Sequence, residues 1–374
     1  MNLPYPQDMK QEAKAKLRGR RSKQLDLMPA EKAGELGLLE QVRRRAAQGS
    51  GHSLTLGIGD DCALLSLRAG EEMAVTTDLS IAGRHFRLDW HPAESIGHRA
   101  LARGLSDLAA MGARPVAAFL SLGLPRELTR HQGQNGVWIS SFYDGLLALA
   151  DAYQTPLAGG DLAESPVALA DIVLVGAVPR GKALLRSGAR AGDLLYVTGS
   201  LGGAAAGLAH LAELAAASGL PKESAGRTGA LRVPKGQEGL LAPHLYPQPR
   251  IAQGLWLRRH GLASSAIDLS DGLSTDLAHL CAESGVAAEV DAALLPIGPG
   301  ASLEQALHGG EDYELLFTAP AAAQVPKSIG GVSLTRIGKI VQSGKGRPMV
   351  TLVSKSGRTR KKRPLEASGW EHFS

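Results

Sequence analysis

Aromatic residues make up only 4% of this 374-residue chain, and there are two cysteines. Few aromatics leave little stacking surface, which argues for a small polar ligand. Cys62 and Cys281 show neither metal-ligand nor disulfide spacing, so no zinc site or oxidised framework is expected, and a reducing cytoplasm fits. No apolar run approaches the ~18 residues of a membrane span, and the charged N-terminal stretch lacks the apolar centre of a secretion signal. A soluble, cytoplasmic protein without membrane contact is the expectation. A G-x-x-x-x-G-K-[ST] phosphate loop is also missing, since "SGKGRP" (343–348) has neither the spacing nor the hydroxyl. "GSLGGAAAG" (199–207) departs from G-x-G-x-x-G and has no acid at the ribose distance, so its glycines read as close helix–strand packing.

What is present looks globular: 44% hydrophobic and 21% charged residues, with 46 glycines. The length suffices for two domains with their own cores. The formal charge of +5 is concentrated at the ends. Residues 1–30 hold seven Lys/Arg against three acids, and "SKSGRTRKKRP" (354–364) holds six and none. The body between them is acidic, so nucleic acid is not the expected partner.

Segments of strand and helix character alternate, which places the chain in the α/β class with mixed α+β sheets. Residues 1–33 read as a mobile basic extension. "DCALLSL" (61–67) and "EMAVTTD" (72–78) read as neighbouring strands. A helix is predicted over 91–113, with Pro92 at its start and Gly112 at its stop. "PVAAFLSLGLP", "VALADIVLVGAVP", "DLLYVTG", "YELLFT", "VSLTRIG" and "PMVTLV" read as strands, and 217–246 as a long loop. The expected domains are 34–180 and 181–374.

Acids beside glycines or strand ends recur along the chain. They are Asp60 and Asp61 in "GIGDDC", Asp78 in "TTD", Asp161 in "GGD", Asp268 and Asp271 in "IDLSDG", and Glu311 and Asp312 in "GGED". Asp107, in "LSDLAAMGA", falls inside the predicted helix. Any one of these acids could be an ordinary turn or cap residue. Together they suggest carboxylates gathered around cations, and oxygen-only ligands favour Mg²⁺ over zinc. Because Mg²⁺ shares its shell with substrate phosphates, several such ions imply a nucleotide.

The motifs "GIGDDCALL", "TTDLSIAGRHF", "ALARGLSDLAAMGARP", "AGGD", "LLRSGARAGDLLYVTG", "AIDLSDGLSTDL" and "GGEDYELLFT" resemble, in order and spacing, the thiamine-monophosphate kinase family. That family sits in the superfamily of aminoimidazole ribonucleotide synthetase and selenophosphate synthetase. The resemblance implies an aminoimidazole ribonucleotide synthetase-like two-domain architecture, a homodimer joined through the N-terminal sheet, and γ-phosphoryl transfer from ATP to thiamine monophosphate. It implies metal binding by Asp61, Thr76, Thr77, Asp78, Asp107, Asp161, Asp268 and Asp271. Nucleotide contacts fall on Tyr143, Gly160, Asp161, Arg186 and Ser270, and thiamine contacts on His85, Glu311 and Trp370. Asp78, Asp107, Asp161 and Arg186 are the residues implied in catalysis. "AGGDLAES" puts Leu162 and Ala163 where the family has two threonines. The alternatives are a superfamily member with another acceptor and a nucleic-acid-binding protein using the basic ends.

Overall fold

The computed structural model describes residues 35–46, 53–59, 61–130, 137–218, 231, 234–346, 349–356 and 359–370. The basic segment 1–33 and Asp60 lie outside the described residues. After helix α1 (Glu35–Ala46), strands β1 (Leu54–Leu56) and β2 (Leu64–Leu65) form a short antiparallel ribbon. A four-stranded sheet follows, built from β3 (Glu71–Ile81), β4 (Arg114–Leu124), β5 (Leu157–Glu164) and β6 (Leu169–Pro179) in the order β3-β6-β4-β5. Helices α2 (Ala93–Ala110) and α3 (Trp138–Ala152) connect these strands. The second sheet contains β7 (Leu194–Thr198), β8 (Ser265–Asp268), β9 (Val286–Asp291), β10 (Leu315–Ala319), β11 (Ser328–Ile329), β12 (Val332–Gln342), β13 (Val350–Ser356) and β14 (Thr359–Pro364). Around it lie α4 (Gly203–Ala217), α5 (Glu238–Leu245), α6 (Ile251–His260), α7 (Leu273–Ser284) and α8 (Leu303–His308). Both sheets are mixed: β4–β5 and β9–β13 run parallel and the other ladders antiparallel.

Two readings of the sequence need correction, and one strand was not read from it. Only Leu64–Leu65 of "DCALLSL" form a strand, and they pair with β1 rather than β3. The Ser66 N–H bonds the Ser53 carbonyl at 2.8 Å and turns the segment onto β1, while β3 takes β6 as its partner. The expected loop over 217–246 contains helix α5, with Leu241 and Leu245 buried against Leu211 of α4. Pro243 sits inside α5, and tertiary burial outweighs its poor helix propensity. Strand β5 was hidden by Gly159 and Gly160 in its middle.

The basic run near the C-terminus is a sheet edge. Lys362 contacts Glu289, and Arg360 and Arg363 lie 3.9 Å from Asp291 and Glu304. A charged edge strand resists pairing with other chains, which accounts for this run without a nucleic-acid partner.

Helix α2 organises the molecule. It packs on β3 and β6 of the first sheet, and its buried residues join one core with Ala266 of β8 and Phe317 of β10 in the second. It is therefore covered on nearly all sides, as its Ala- and Leu-rich sequence allows. Its contact with α3 is made backbone to backbone. A Cβ at Gly145 would sit 1.8 Å from the Glu94 carbonyl oxygen, and one at Gly97 would sit 1.9 Å from that of Phe142. Helix propensity alone predicts that Gly145→Ala gains up to about 1 kcal/mol. The clash decides otherwise: a loss of about 3 kcal/mol is expected in urea unfolding, and a stabilised variant would refute this packing account.

Strand β3 lies at the edge of its sheet, and its side chains alternate faces. Ala74, Thr76 and Asp78 are partly buried on the inner side, toward α2, while Met73, Val75, Thr77 and Leu79 are exposed on the outer side.

Candidate active site

Helical spacing places Arg99, Arg103 and Asp107 of α2 on one stripe, four residues apart. Opposite Asp107, Thr76 of β3 donates its hydroxyl hydrogen bond to the Asp107 carboxylate. Asp78, two residues along the same strand face, accepts from Arg103 Nη2 at 3.3 Å. From the second sheet, Asp268 at the end of β8 accepts from Ser106 Oγ at 2.7 Å, which fastens the two halves at their carboxylates. Beyond β8 the chain turns sharply through Ser270, Asp271 and Gly272. Asp276 of α7 holds that turn by accepting all three backbone N–H groups at 3.0–3.1 Å.

The "GGEDYE" segment closes the other end. Glu311 and Tyr313 adopt left-handed backbone conformations, φ 67° and 50°, which non-glycine residues take only when their surroundings impose them. The restraints are visible. Glu311 N–H bonds the Ser270 carbonyl, Tyr313 N–H bonds that of Leu269, and Asp312 accepts from the Gly202 and Ala204 N–H groups at the start of α4. Asp312 is thus a helix-end acceptor, and Glu314 pairs with Arg250 inside the core. Of the three acids in this segment, Glu311 alone lines the cavity.

These elements enclose a cavity of about 510 Å³, within the range of small-molecule sites. Asp78, Asp107, Asp268, Ser270 and Asp271 supply its acid-rich wall. His85, Arg103, Glu311, Tyr313, His244 and Trp370 are also in its wall, and the Glu311 and Trp370 N–H groups bond the Ser270 and Asp271 carbonyls at 2.8 and 3.0 Å. Burial pushes the carboxyls of Asp78 and Asp107 up to about 6 and that of Asp268 up to about 7. Neighbouring acids add to each rise: Asp107 acts on Asp78, Asp268 on Asp107, and Asp276 and Asp78 on Asp268. A group of buried acids that raise one another's pKa is a site short of positive charge.

Arg99 Nη2 lies 2.6 and 2.7 Å from the two Glu311 oxygens, and Nη1 lies 2.9 Å from His244 Nε2. Because the guanidinium can only donate, His244 Nε2 accepts, and a neutral His244 carries its proton on Nδ1. That Nδ1 faces Glu311 Oε2 at 3.5 Å. His91 takes the Arg87 N–H on Nδ1 at 3.1 Å and presents Nε2–H to His244 at 2.9 Å. Burial, then the charge of Arg99, pushes His91 down to about 3 and His244 well below its ordinary range, so both rings stay neutral. The result is a carboxylate held by one arginine and faced by the uncharged His244, which His91 backs, an arrangement suited to an organic cation.

Two family models match the chain: AIR synthase related protein, N-terminal domain, over residues 59–178, and its C-terminal domain over 190–351. The thiamine-monophosphate kinase of Escherichia coli K12 is 39% identical over 354 residues, 91% of this chain and 98% of that protein. The chain belongs to the thiamine-monophosphate kinase family. The Bacillus subtilis kinase is 30% identical over 91% of this chain and 99% of its own length. Among solved structures, the kinase from Stenotrophomonas maltophilia K279a is 38% identical with a TM-score of 0.70, covering 85% of this chain and 96% of that one. AaThiL complexed with AMPPCP and TMP is 28% identical with a TM-score of 0.66, covering 92% and 99%.

Against the kinase pattern, Asp78, Asp107, Asp268, Asp271, Ser270, His85, Glu311 and Trp370 line the shared cavity. Thr76 reaches it through its bond to Asp107. The other site residues lie elsewhere. Thr77 is exposed on the outer face of the first sheet, and Asp161 shares that side: the register sets Thr77 level with Val173, Phe119 and Gly159, and Leu79 level with Asp171, Ser121 and Asp161. Asp61 is exposed between β1 and β2, the ribbon that packs on this same face. Gly160, φ 147°, lets β5 pass Leu120, whose carbonyl would lie 1.9 Å from a Cβ. Tyr143 is a buried core residue of α3 packed edge-on to Phe142. Arg186 is exposed outside the cavity wall, yet its charge eases the ionisation of both Asp107 and Asp268. Arg99, Arg103, His91 and His244 were not singled out from the sequence. For the arginines, their four-residue spacing ahead of Asp107 was the available signal.

Proposed function

We propose that this chain transfers the γ-phosphoryl group of ATP to thiamine monophosphate, giving thiamine diphosphate and ADP. The supporting observation is a single cavity lined by buried acids, by the Glu311 carboxylate fixed by Arg99, and by Trp370. The acceptor phosphate is already ionised at neutral pH, so no strong general base is required, unlike transfer to a hydroxyl. The obstacle is electrostatic, because two polyanions must meet at short range. The carboxylate of Glu311 suits the cationic thiazolium, and Trp370 offers a ring face worth ~0.5–2 kcal/mol to it.

Asp78, Asp107, Asp268 and Asp271 are the residues that would hold Mg²⁺. Their oxygen-only donor set, and the raised pKa values of Asp78, Asp107 and Asp268, fit that ion. Among the described residues no three His, Cys, Asp or Glu side chains are gathered closely enough to hold a metal by themselves. When bound, Mg²⁺ supplies charge neutralisation across the phosphates.

On this reading the kinase is a cytoplasmic homodimer. No helix among the described residues is long and apolar enough to cross a membrane. On the edge strand β3, Met73, Val75 and Leu79 are 54%, 57% and 45% exposed, an apolar stripe suited to a second copy. Dimerisation through that face would bury Thr77 and Asp161 in the interface and make the second group of expected metal and nucleotide residues a shared one.

The direct test is incubation of the purified protein with ATP, Mg²⁺ and thiamine monophosphate, with free thiamine as the control acceptor. Thiamine diphosphate is expected from the monophosphate alone. Phosphorylation of free thiamine, or ATP consumption without thiamine diphosphate, would reject this acceptor.

A further inference from the structure

Arg99 and Arg103 are successive members of one helix stripe, but their surroundings differ. Arg99 is engaged through both terminal nitrogens: its side chain is 5% exposed and bonds Glu311, His244 and the His85 carbonyl. Arg103 is 17% exposed and makes one hydrogen bond among the described residues, the 3.3 Å contact to Asp78. Its Nε is buried without a hydrogen-bond partner. A guanidinium offers five N–H donors in a planar fork, and most of this fork is unused.

The position of that fork is informative. Arg103 meets Asp78 in the acid-rich wall, lies within the field of Glu311, and lines the same cavity as both. In an in-line transfer the acceptor phosphate must lie between the organic part of its molecule and the γ-phosphate of ATP. If Glu311 faces the thiazolium and Asp78 the transferring group, the acceptor phosphate falls beside Arg103. The other cavity-wall arginines are placed differently: Arg87 is bidentate to Asp89, and Arg84 is exposed.

We infer that Arg103 grips the phosphate of thiamine monophosphate, donating Nε–H and Nη–H to its oxygens. This assignment rests on the kinase reading above and adds the residue that makes the acceptor a phosphate ester and not the free alcohol. No bond to Arg103 forms or breaks. It positions the nucleophilic oxygen and offsets part of the repulsion between the two phosphates.

The test uses full-length Arg103→Gln and Arg103→Lys, with calorimetric binding of thiamine monophosphate and inhibition by free thiamine measured beside the KM for ATP. In Arg103→Gln, affinity for thiamine monophosphate is expected to fall about 10- to 100-fold, the range for lost charge-assisted bonds. Inhibition by thiamine and the KM for ATP should stay within about threefold, and a retained thiamine response itself reports an intact pocket. Arg103→Lys keeps the charge without the fork, so it should recover part of the loss and serves as the test if the glutamine variant folds poorly. Unchanged affinity for the monophosphate, or equal losses for thiamine and its monophosphate, would overturn the assignment. If the wild type itself binds no thiamine monophosphate, the kinase reading fails instead.

Discussion

Asp268→Asn is expected to lower turnover about 10³-fold or more while making the metal-free protein harder to unfold near about pH 8. The two effects share one cause. Asp268 is fully buried, and its pKa is raised from an ordinary 3.8 to about 7, first by burial and then by Asp276 and Asp78. A carboxyl whose folded-state value lies above its unfolded one costs nothing while protonated in both states. The cost grows as pH rises from about 4 and is complete above about 7. For a shift of this size it is on the order of 4 kcal/mol. Asparagine keeps an oxygen to accept from Ser106 Oγ and carries no charge, so it removes the cost and keeps the bond.

A divalent ion should offset the same penalty in the wild type. Adding Mg²⁺ with ATP is expected to raise the wild-type unfolding midpoint at about pH 8, and to raise that of Asp268→Asn much less. Thermal unfolding with and without the ion, across about pH 4 to 8, measures both effects. A variant that stays active, or one whose stability follows the wild-type pH profile, would contradict the placement of Asp268 among the ion-holding acids.

Why part of this site was legible follows from the periods of its elements. Acids beside glycine turns or apparent strand ends stand out locally, so Asp78, Asp268, Asp271 and Glu311 could be selected from the chain, and they do meet in one cavity. The sequence does not reveal which turns face one another. That depends on α2, whose buried faces join the sheets and set Ser106 against Asp268. The alternation of β3 already separated Thr76 and Asp78 from Thr77, and the register of β5 sends Asp161 to the side of Thr77. His91 and His244 are 153 residues apart, and only the folded chain brings them within 2.9 Å. Secondary structure was legible where the apolar period was strong, as in α2 and β6. It was obscured in β5 by its glycines and in α5 by Pro243.

Glu314→Ala is expected to destabilise the fold by about 3–5 kcal/mol, the cost of leaving a buried guanidinium without its partner. Arg250 Nε lies 2.6 Å from Glu314 Oε2, and Arg250 Nη2 bonds the other oxygen. Thr198 Oγ1 donates to the same carboxylate at 2.6 Å and accepts from the Leu315 N–H at 2.8 Å, so the pair is tied to the start of β10. Gly199 lies against it: a Cβ there would meet Glu314 Oε1 at 2.0 Å. An apolar pair of similar size should fare much better than either single change, because a buried ion pair gains little over well-packed hydrophobic residues. The double variant Arg250→Met with Glu314→Leu should therefore recover most of the loss in chemical unfolding. If it proved no more stable than Glu314→Ala, the pair would be contributing geometry that packing cannot replace. Glu314 follows the strained Glu311–Tyr313 turn by a single residue, so weaker binding of thiamine monophosphate in the double variant would trace that geometry to the active site.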